Sequence, residues 1–401
     1  MVFIPSMELH QELLTAPQFC RFAWSHDADG VRAVLAVKAT TLGLKYLTAE
    51  PVLHVLLFPV AQAVGYAVVV NEGGPPALLW SVIQSDDEKA ALLSAVGAAT
   101  CAVHLFSEAA INVASGEGSV SSPAQPQVPI TNATYPADLG AIRAAVATVL
   151  DQLLADPASN RSDLIEVAGL RWEPVSSVLV TANGGAYPVE LFADNEGAQQ
   201  EHLAVWLTEH LDPGRVLVRP QVQNGAATRE LCDLLMSYSG GSFLIESKAL
   251  SVLGRSGAMP SRSAMAENTR NHTKKAVNQV IGASKKLAQG AGITDTQGDE
   301  YHVDRGNPPH ALILLSDVSL LAGHEGQCLS DIERYRTKSG GFLHFMDPSG
   351  LVRMSQAAAM LAAQSERHQP IEAFDALLIR RWRTVGKRRQ INLDFRIEME
   401  A

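Results

Sequence analysis

Two short segments carry residues whose types and spacing could do chemistry: Arg229-Glu-Leu-Cys-Asp233 and Phe243-Leu-Ile-Glu-Ser-Lys-Ala-Leu250. Both read as β-strands, joined by the turn signal Tyr238-Ser-Gly-Gly-Ser242. Side chains alternate across a strand, so Glu246 and Lys248 share a face, about 6–7 Å apart along it. Asp233 shares a face with Leu231 and Leu235. A two-residue turn at Ser239-Gly240 places Asp233 opposite Glu246; a turn at Gly240-Gly241 places it opposite Lys248, with Glu246 diagonal. Either register brings the three polar heads to one face, and a slip of one residue would break this. Two carboxylates and an ammonium on one sheet face are costly to cluster without a counter-ion. A hard divalent cation, Mg²⁺ or Mn²⁺, would offset the carboxylate repulsion, polarise a phosphate oxygen and lower the pKa of a bound water. Lys248 would orient that water or stabilise developing negative charge. Glu230, three residues before Asp233, competes for a place among the metal ligands.

The surrounding sequence supplies elements to position these groups. Glu196–Leu211 has helical spacing and Val216–Arg219 reads as a short strand. Glu230–Met236 and Phe243–Leu250 form the hairpin, and a long helix covers about Arg262–Gln289. Ala311–Ser316 is a continuous apolar run, as expected of a strand buried on both faces. Phe342–Met346 reads as a further strand, followed by a helix near Met354–Gln364. Phe374–Arg383 and Gln390–Glu398 read as a terminal hairpin, from the alternation of Ile391, Leu393, Phe395 and Ile397 with polar residues. In the first part of the chain, Val31–Leu47 and Val52–Val70 are apolar and β-branched. Ala77–Gln84 and Thr100–Phe106 read as strands, and Ser85 caps a helix running to about Val96. Ser115–Pro136 is rich in Ser, Gly and Pro and reads as a linker. A helix over about Ala137–Ala155 follows it. The expected organisation is therefore an N-terminal α+β domain over 1–114, a linker over 115–136, and a second domain over 137–401.

The order helix, strand, strand with Asp233, hairpin, strand with Glu246-Ser-Lys248, helix, strand resembles the PD-(D/E)XK, or restriction-endonuclease-like, nuclease superfamily over roughly residues 190–320. The resemblance implies an α/β fold with a mixed sheet flanked by helices. It implies that Asp233 and Glu246 bind metal and that Lys248 is the motif lysine. Many members place a Glu on the first helix, which points to Glu201, with Glu196 as the alternative. Some add a Gln on the helix after the lysine strand, which points to Gln279. The residue before Asp233 is Cys232 where the family pattern has Pro. The acid-x-Lys pattern alone is weak, since it also occurs at Asp87-Glu88-Lys89, which reads as an ordinary helix start. What distinguishes Glu246-Ser-Lys248 is its apolar strand, paired through a Gly-Gly turn with another strand that carries an acid.

The formal net charge is −10, so an anionic partner must be met by a local basic patch. Arg255–Gln289 supplies one: Arg262, Arg270, Lys274, Lys275, Lys285 and Lys286 stand against the single acid Glu267. Phosphate contacts are the functional reading. The plainer one is the solvated face of an amphipathic helix with Ala276, Val280, Ala283 and Leu287 beneath. Arg380-Arg-Trp-Arg383 is a second basic cluster, whose Trp382 would either stack on a base or pack on the core. Asp317 and Asp347, closing apolar segments, read as turn residues.

Hydrophobic residues make up 47% of the chain, enough for a large core. Cys20, Cys101, Cys232 and Cys328 are far apart and form no C-x-x-C pair, against a zinc site or disulfide framework. The 12 histidines show no metal-binding frame, and neither a serine-hydrolase elbow nor a P-loop is present. No secretory signal or membrane span is read, so a cytoplasmic protein is the expectation. The expected function is Mg²⁺- or Mn²⁺-dependent hydrolysis of nucleic acid, DNA rather than RNA by resemblance. By analogy alone, such nucleases often act in defence against foreign DNA. The alternative is a nucleic-acid-binding or scaffolding module with a dead site. The N-terminal domain would serve a protein partner or a second copy.

Overall fold

A computed structural model describes residues 3–27, 30–74, 76–136, 138–155, 162–182, 184–224, 227–250, 259–364 and 369–392. The chain is mixed α/β and divides into two compact units, one built mainly from residues 1–177 and the other mainly from 194 onward.

The first unit has eight strands: β1 (Phe19–Asp27), β2 (Gly30–Lys38), β3 (Val52–Val60), β4 (Ala63–Val70), β5 (Ala77–Val82), β6 (Thr100–Phe106), β7 (Asn112–Ser121) and β8 (Asp163–Pro174). They form one sheet in the order β1-β2-β6-β7-β8-β3-β4-β5. Its helices are α1 (Met7–Thr15), α2 (Thr41–Ala49), α3 (Asp86–Gly97) and α4 (Leu139–Ala155). The Ser85 hydroxyl accepts from the Glu88 N–H, so Asp87-Glu88-Lys89 is indeed a helix start. The apolar run Val31–Leu47 divides at Thr40, which caps α2 by accepting from the Gly43 N–H.

The expected linker is corrected by this sheet. Residues 112–121 are β7, paired on one side with β6 and on the other with β8. The small residues that read as linker are there because β8 approaches closely. A Cβ on Gly118 would stand 2.7 Å from the Ala168 carbonyl oxygen. The boundary moves with it. α4 packs Val146, Leu150 and Leu153 on Phe58, Val60, Ala67 and Val82, so it belongs to the first unit rather than to the second.

The second unit contains the ribbon β9 (Ser177–Val180) with β10 (Ala186–Val189), then α5 (Glu196–Glu209), β11 (Val216–Val218), β12 (Gln221–Asn224), β13 (Ala227–Glu230), β14 (Leu234–Tyr238) and β15 (Gly241–Lys248). These are followed by α6 (Arg262–Ala288), β16 (Ile293–Thr294), β17 (Glu300–Tyr301), β18 (His310–Leu315), α7 (Glu325–Ser339), β19 (Phe342–Met346), α8 (Pro348–Ala363) and α9 (Pro370–Arg388). The main sheet runs β11-β14-β15-β18-β19. Its first two pairings are antiparallel and its last two parallel. β18 is buried throughout, as its uninterrupted apolar sequence requires. A smaller sheet, β13-β12-β16-β17, lies alongside in the same unit.

On one face of the main sheet, Leu235, Leu244, Ile313, Leu343 and Phe345 pack under α6 and α7, through Ala276, Val277, Val280, Ala283 and Ile332. The expected C-terminal hairpin is absent where the chain is described. Phe374–Arg383 lies inside α9, begun by Pro370 and a capping box between Gln369 and Glu372. Phe374, Leu377, Leu378, Arg381 and Val385 are buried at helical spacing. Residues 393–401 lie outside the described residues. Asp317 caps a short 3₁₀ turn (Val318–Leu321), and Asp347 caps α8 by accepting from the Gly350 N–H at 2.7 Å.

Candidate active site

The β14–β15 turn decides the site. Tyr238 pairs with Gly241, so Ser239 and Gly240 are the two turn residues. Gly241 has φ +149°, a conformation other residues rarely adopt. From that turn the register runs to Leu234 opposite Ile245, and Asp233 lies one residue past the last pair, in a bend. Of the two turns open in the sequence, the first is formed. β14 is shorter than Glu230–Met236, because the chain bends at Leu231–Asp233 between β13 and β14.

Asp233 is fixed from both sides. Its carbonyl oxygen accepts from the Arg219 N–H at 2.7 Å, and its carboxylate from the Ser247 N–H at 2.6 Å. Ser247 is tied in turn to α5, since the Gln200 amide donates to Ser247 Oγ and to the Leu314 carbonyl oxygen, both at 2.9 Å. Glu246 is 1% exposed. The Lys248 ammonium donates to Glu246 Oε1 at 2.6 Å, while Glu246 Oε2 is buried with no hydrogen-bond partner. The structure therefore brings Asp233, Glu246 and Lys248 together. Glu201, on α5, is held by Arg219 Nη2 at 2.8 Å. Glu230, at the exposed end of β13, lies within the field of the Asp233 carboxylate.

The electrostatics express this crowding. Burial, and after it the charge of Asp233, pushes the Glu246 carboxyl up to about 7, with Lys248 opposing. Burial also raises Asp233, which the Ser247 N–H and Lys248 counter. Glu230 is raised by partial desolvation and then by Asp233. Protonation and cation binding are the two ways to relieve such a cluster. His272, on α6, has a buried Nδ1 with no partner and is held below its ordinary value by burial, with Lys275 and Lys248 acting in the same direction.

The residues expected to contact nucleic acid, Arg262, Arg270, Lys274, Lys275, Gln279, Lys285 and Lys286, lie on α6. Arg270, Lys274, Lys275, Gln279 and Lys285 are exposed, and Arg262 and Lys286 are half-buried. Gln279 is thus on the solvent side of the helix and not among the buried acids. Arg262 donates to Ser319 Oγ at 2.8 Å, and Arg270 lies 2.9 Å from His324 Nε2. Glu196 is at the first turn of α5, one helical turn before Gln200. In the second basic cluster, Arg381 is buried and donates to the Phe345 and Ile391 carbonyl oxygens. Trp382 packs on the core, edge-on to Phe342. Sequence reasoning missed Arg219, the Ser247 N–H and His272. No pattern in the sequence marks them, because their placement depends on β11 and α6 meeting the hairpin.

Among the described residues no group of three or more His, Cys, Asp or Glu stands ready to hold a metal ion. Nor is any described helix long and apolar enough to cross a membrane. No protein-family model matches the chain, no curated protein matches it, and no solved structure matches it.

Proposed function

We propose that the second unit is a metal-dependent phosphodiesterase of the restriction-endonuclease-like type, acting on nucleic acid, DNA rather than RNA. The observation that carries this reading is the Asp233 carboxylate held by the Ser247 N–H, beside Glu246, with the Lys248 ammonium 2.6 Å from the Glu246 carboxylate. The sheet order β11-β14-β15-β18-β19, with its change from antiparallel to parallel pairing at β15, supports the fold assignment. A Mg²⁺ or Mn²⁺ ion fits the donors. Glu246 Oε2 is an orphaned buried oxygen, and Mg²⁺ keeps several waters and needs only one or two carboxylates, so a three-acid cage is not required. Asp233 and Glu246 would hold the ion, with Glu201 assisting. When bound, the ion supplies Lewis acidity toward a phosphate oxygen and acidifies a water.

The chain's own residues do the rest. The Ser247 N–H and the Arg219 N–H fix Asp233, so its carboxylate needs little reorganisation. With Glu246 holding an ion, Lys248 would be free to steady negative charge developing on the phosphate. Exposed Lys274, Lys275 and Lys285 offer contacts to backbone phosphates.

A second reading is a nucleic-acid-binding module without catalysis, favoured by the lack of a three-ligand group among the described residues. One experiment separates the two. Plasmid, linear duplex and single-stranded substrates are incubated with the parent and with Asp233→Ala, in Mn²⁺ or in chelator. Cleavage by the parent in Mn²⁺ alone, abolished in the variant, is the expected result. Binding without cleavage, unchanged by Asp233→Ala, would leave the second reading standing.

A further inference from the structure

The guanidinium of Arg219, just past the end of β11, lies among the acids of the site. Arg219 has φ +50°, in the left-handed region, although it is neither glycine nor asparagine. Pro220 follows it, and a proline restricts the residue before it further. A backbone conformation of this kind persists only where its surroundings impose it, and it clusters at functional sites. In that conformation the Arg219 N–H donates to the Asp233 carbonyl oxygen at 2.7 Å. The consequence is that the guanidinium lies against Glu201 at 2.8 Å, within the field of Glu230 and Asp233. The side chain is still 52% exposed, so it can leave Glu201 without uncovering the core.

Charge gives this placement its meaning. Glu201, Glu230, Asp233 and Glu246 gather at a site meant to receive a phosphodiester anion. Lys248 is tied to Glu246, and Arg219 is the second cation at the cluster. A guanidinium fork matches two phosphate oxygens, which an ammonium cannot do.

Building on the phosphodiesterase reading, we propose that Arg219 is the phosphate-holding residue of the site, parked on Glu201 in the free protein and transferred to a non-bridging oxygen of the bound phosphodiester. While parked it also occupies Glu201, so that carboxylate would be available to a bound ion only when Arg219 has moved to the substrate. Metal binding and substrate capture are thereby coupled through one ion pair.

The test uses the full chain as parent, Arg219→Gln and Arg219→Lys, each checked for folding by thermal unfolding. Mn²⁺ affinity is measured by calorimetry without substrate, and kcat and KM on a linear duplex. Arg219→Gln should bind Mn²⁺ about twofold to fivefold more tightly, the range expected when an exposed ion pair no longer competes. Its kcat should fall about 100-fold, as for loss of one charge-stabilising donor. Arg219→Lys should fall between parent and Gln variant in both. A Gln variant that cleaves at the parental rate overturns the proposal, and so does one whose Mn²⁺ affinity is not raised. A parent that takes up no Mn²⁺ and cleaves nothing overturns the phosphodiesterase reading itself, so the two failures are told apart by the parent alone.

Discussion

Replacing Glu246 by Gln should stabilise the metal-free protein, although it removes one partner of a buried ion pair. The Glu246 carboxyl is pushed up to about 7 from an ordinary 4.5, with the favourable pull of Lys248 already included. That gap corresponds to about 3 kcal/mol. The sign follows from proton binding. Between pH 4.5 and 7 the folded protein keeps this proton and the unfolded chain does not, so the stability from this group falls as pH rises and levels off above about 7. The variant carries no charge to desolvate and keeps an oxygen that can accept from Lys248. At pH 8 in chelator it should exceed the parent by up to about 3 kcal/mol, or about 6–12 °C in thermal midpoint for a domain of ordinary size. At pH 4 the two should coincide. Adding Mn²⁺ at pH 8 should raise the parent's midpoint and leave the variant's unmoved. The assay is thermal unfolding of both proteins across pH 4–8, where other titrating groups cancel in the difference. A variant less stable than the parent at pH 8, or a difference independent of pH, would refute the reasoning.

Two further outcomes follow from the geometry of the hairpin and of α6. Lys248→Ala should reduce cleavage by at least about 100-fold while changing duplex affinity little, because an ammonium paired with Glu246 contributes to chemistry and not to docking; comparable cleavage rates would remove Lys248 from the site. Reversing Lys274 and Lys275 together to Glu should weaken duplex binding and lower the slope of log affinity against log salt by about 2, near 0.9 for each lost phosphate contact. An unchanged salt slope in fluorescence anisotropy would make this face of α6 an ordinary solvated one.

The local elements around the site were legible because each rests on short-range rules. α6 (Arg262–Ala288), β18 (His310–Leu315) and β19 (Phe342–Met346) fall within a residue or so of the expected spans. Their apolar periodicity matches their burial. The same rules misread Ser115–Ser121. Glycine and serine give no strand signal by themselves, and only the close approach of β8 explains them. The C-terminal stretch was misread in the opposite way. Alternation around Ile391 was extended back over Phe374–Arg383, where spacing of three and four and a proline start already specify α9.

The sequence by itself put Glu246 and Lys248 on one face of a strand, because the side-chain period of a strand is two, and put Asp233 near them, because the turn between the segments is short. It could not choose between the two turns, since both satisfy that period. Nor could it place Arg219, whose left-handed backbone carries an N–H that donates to Asp233, a residue 14 positions away in the chain. Turn choice and that contact come from the packed sheet, where Gly241 accepts a dihedral others resist and α6 covers the face beneath. Which acids lose their water, and how far Glu246 is driven toward neutrality, are consequences of that packing alone.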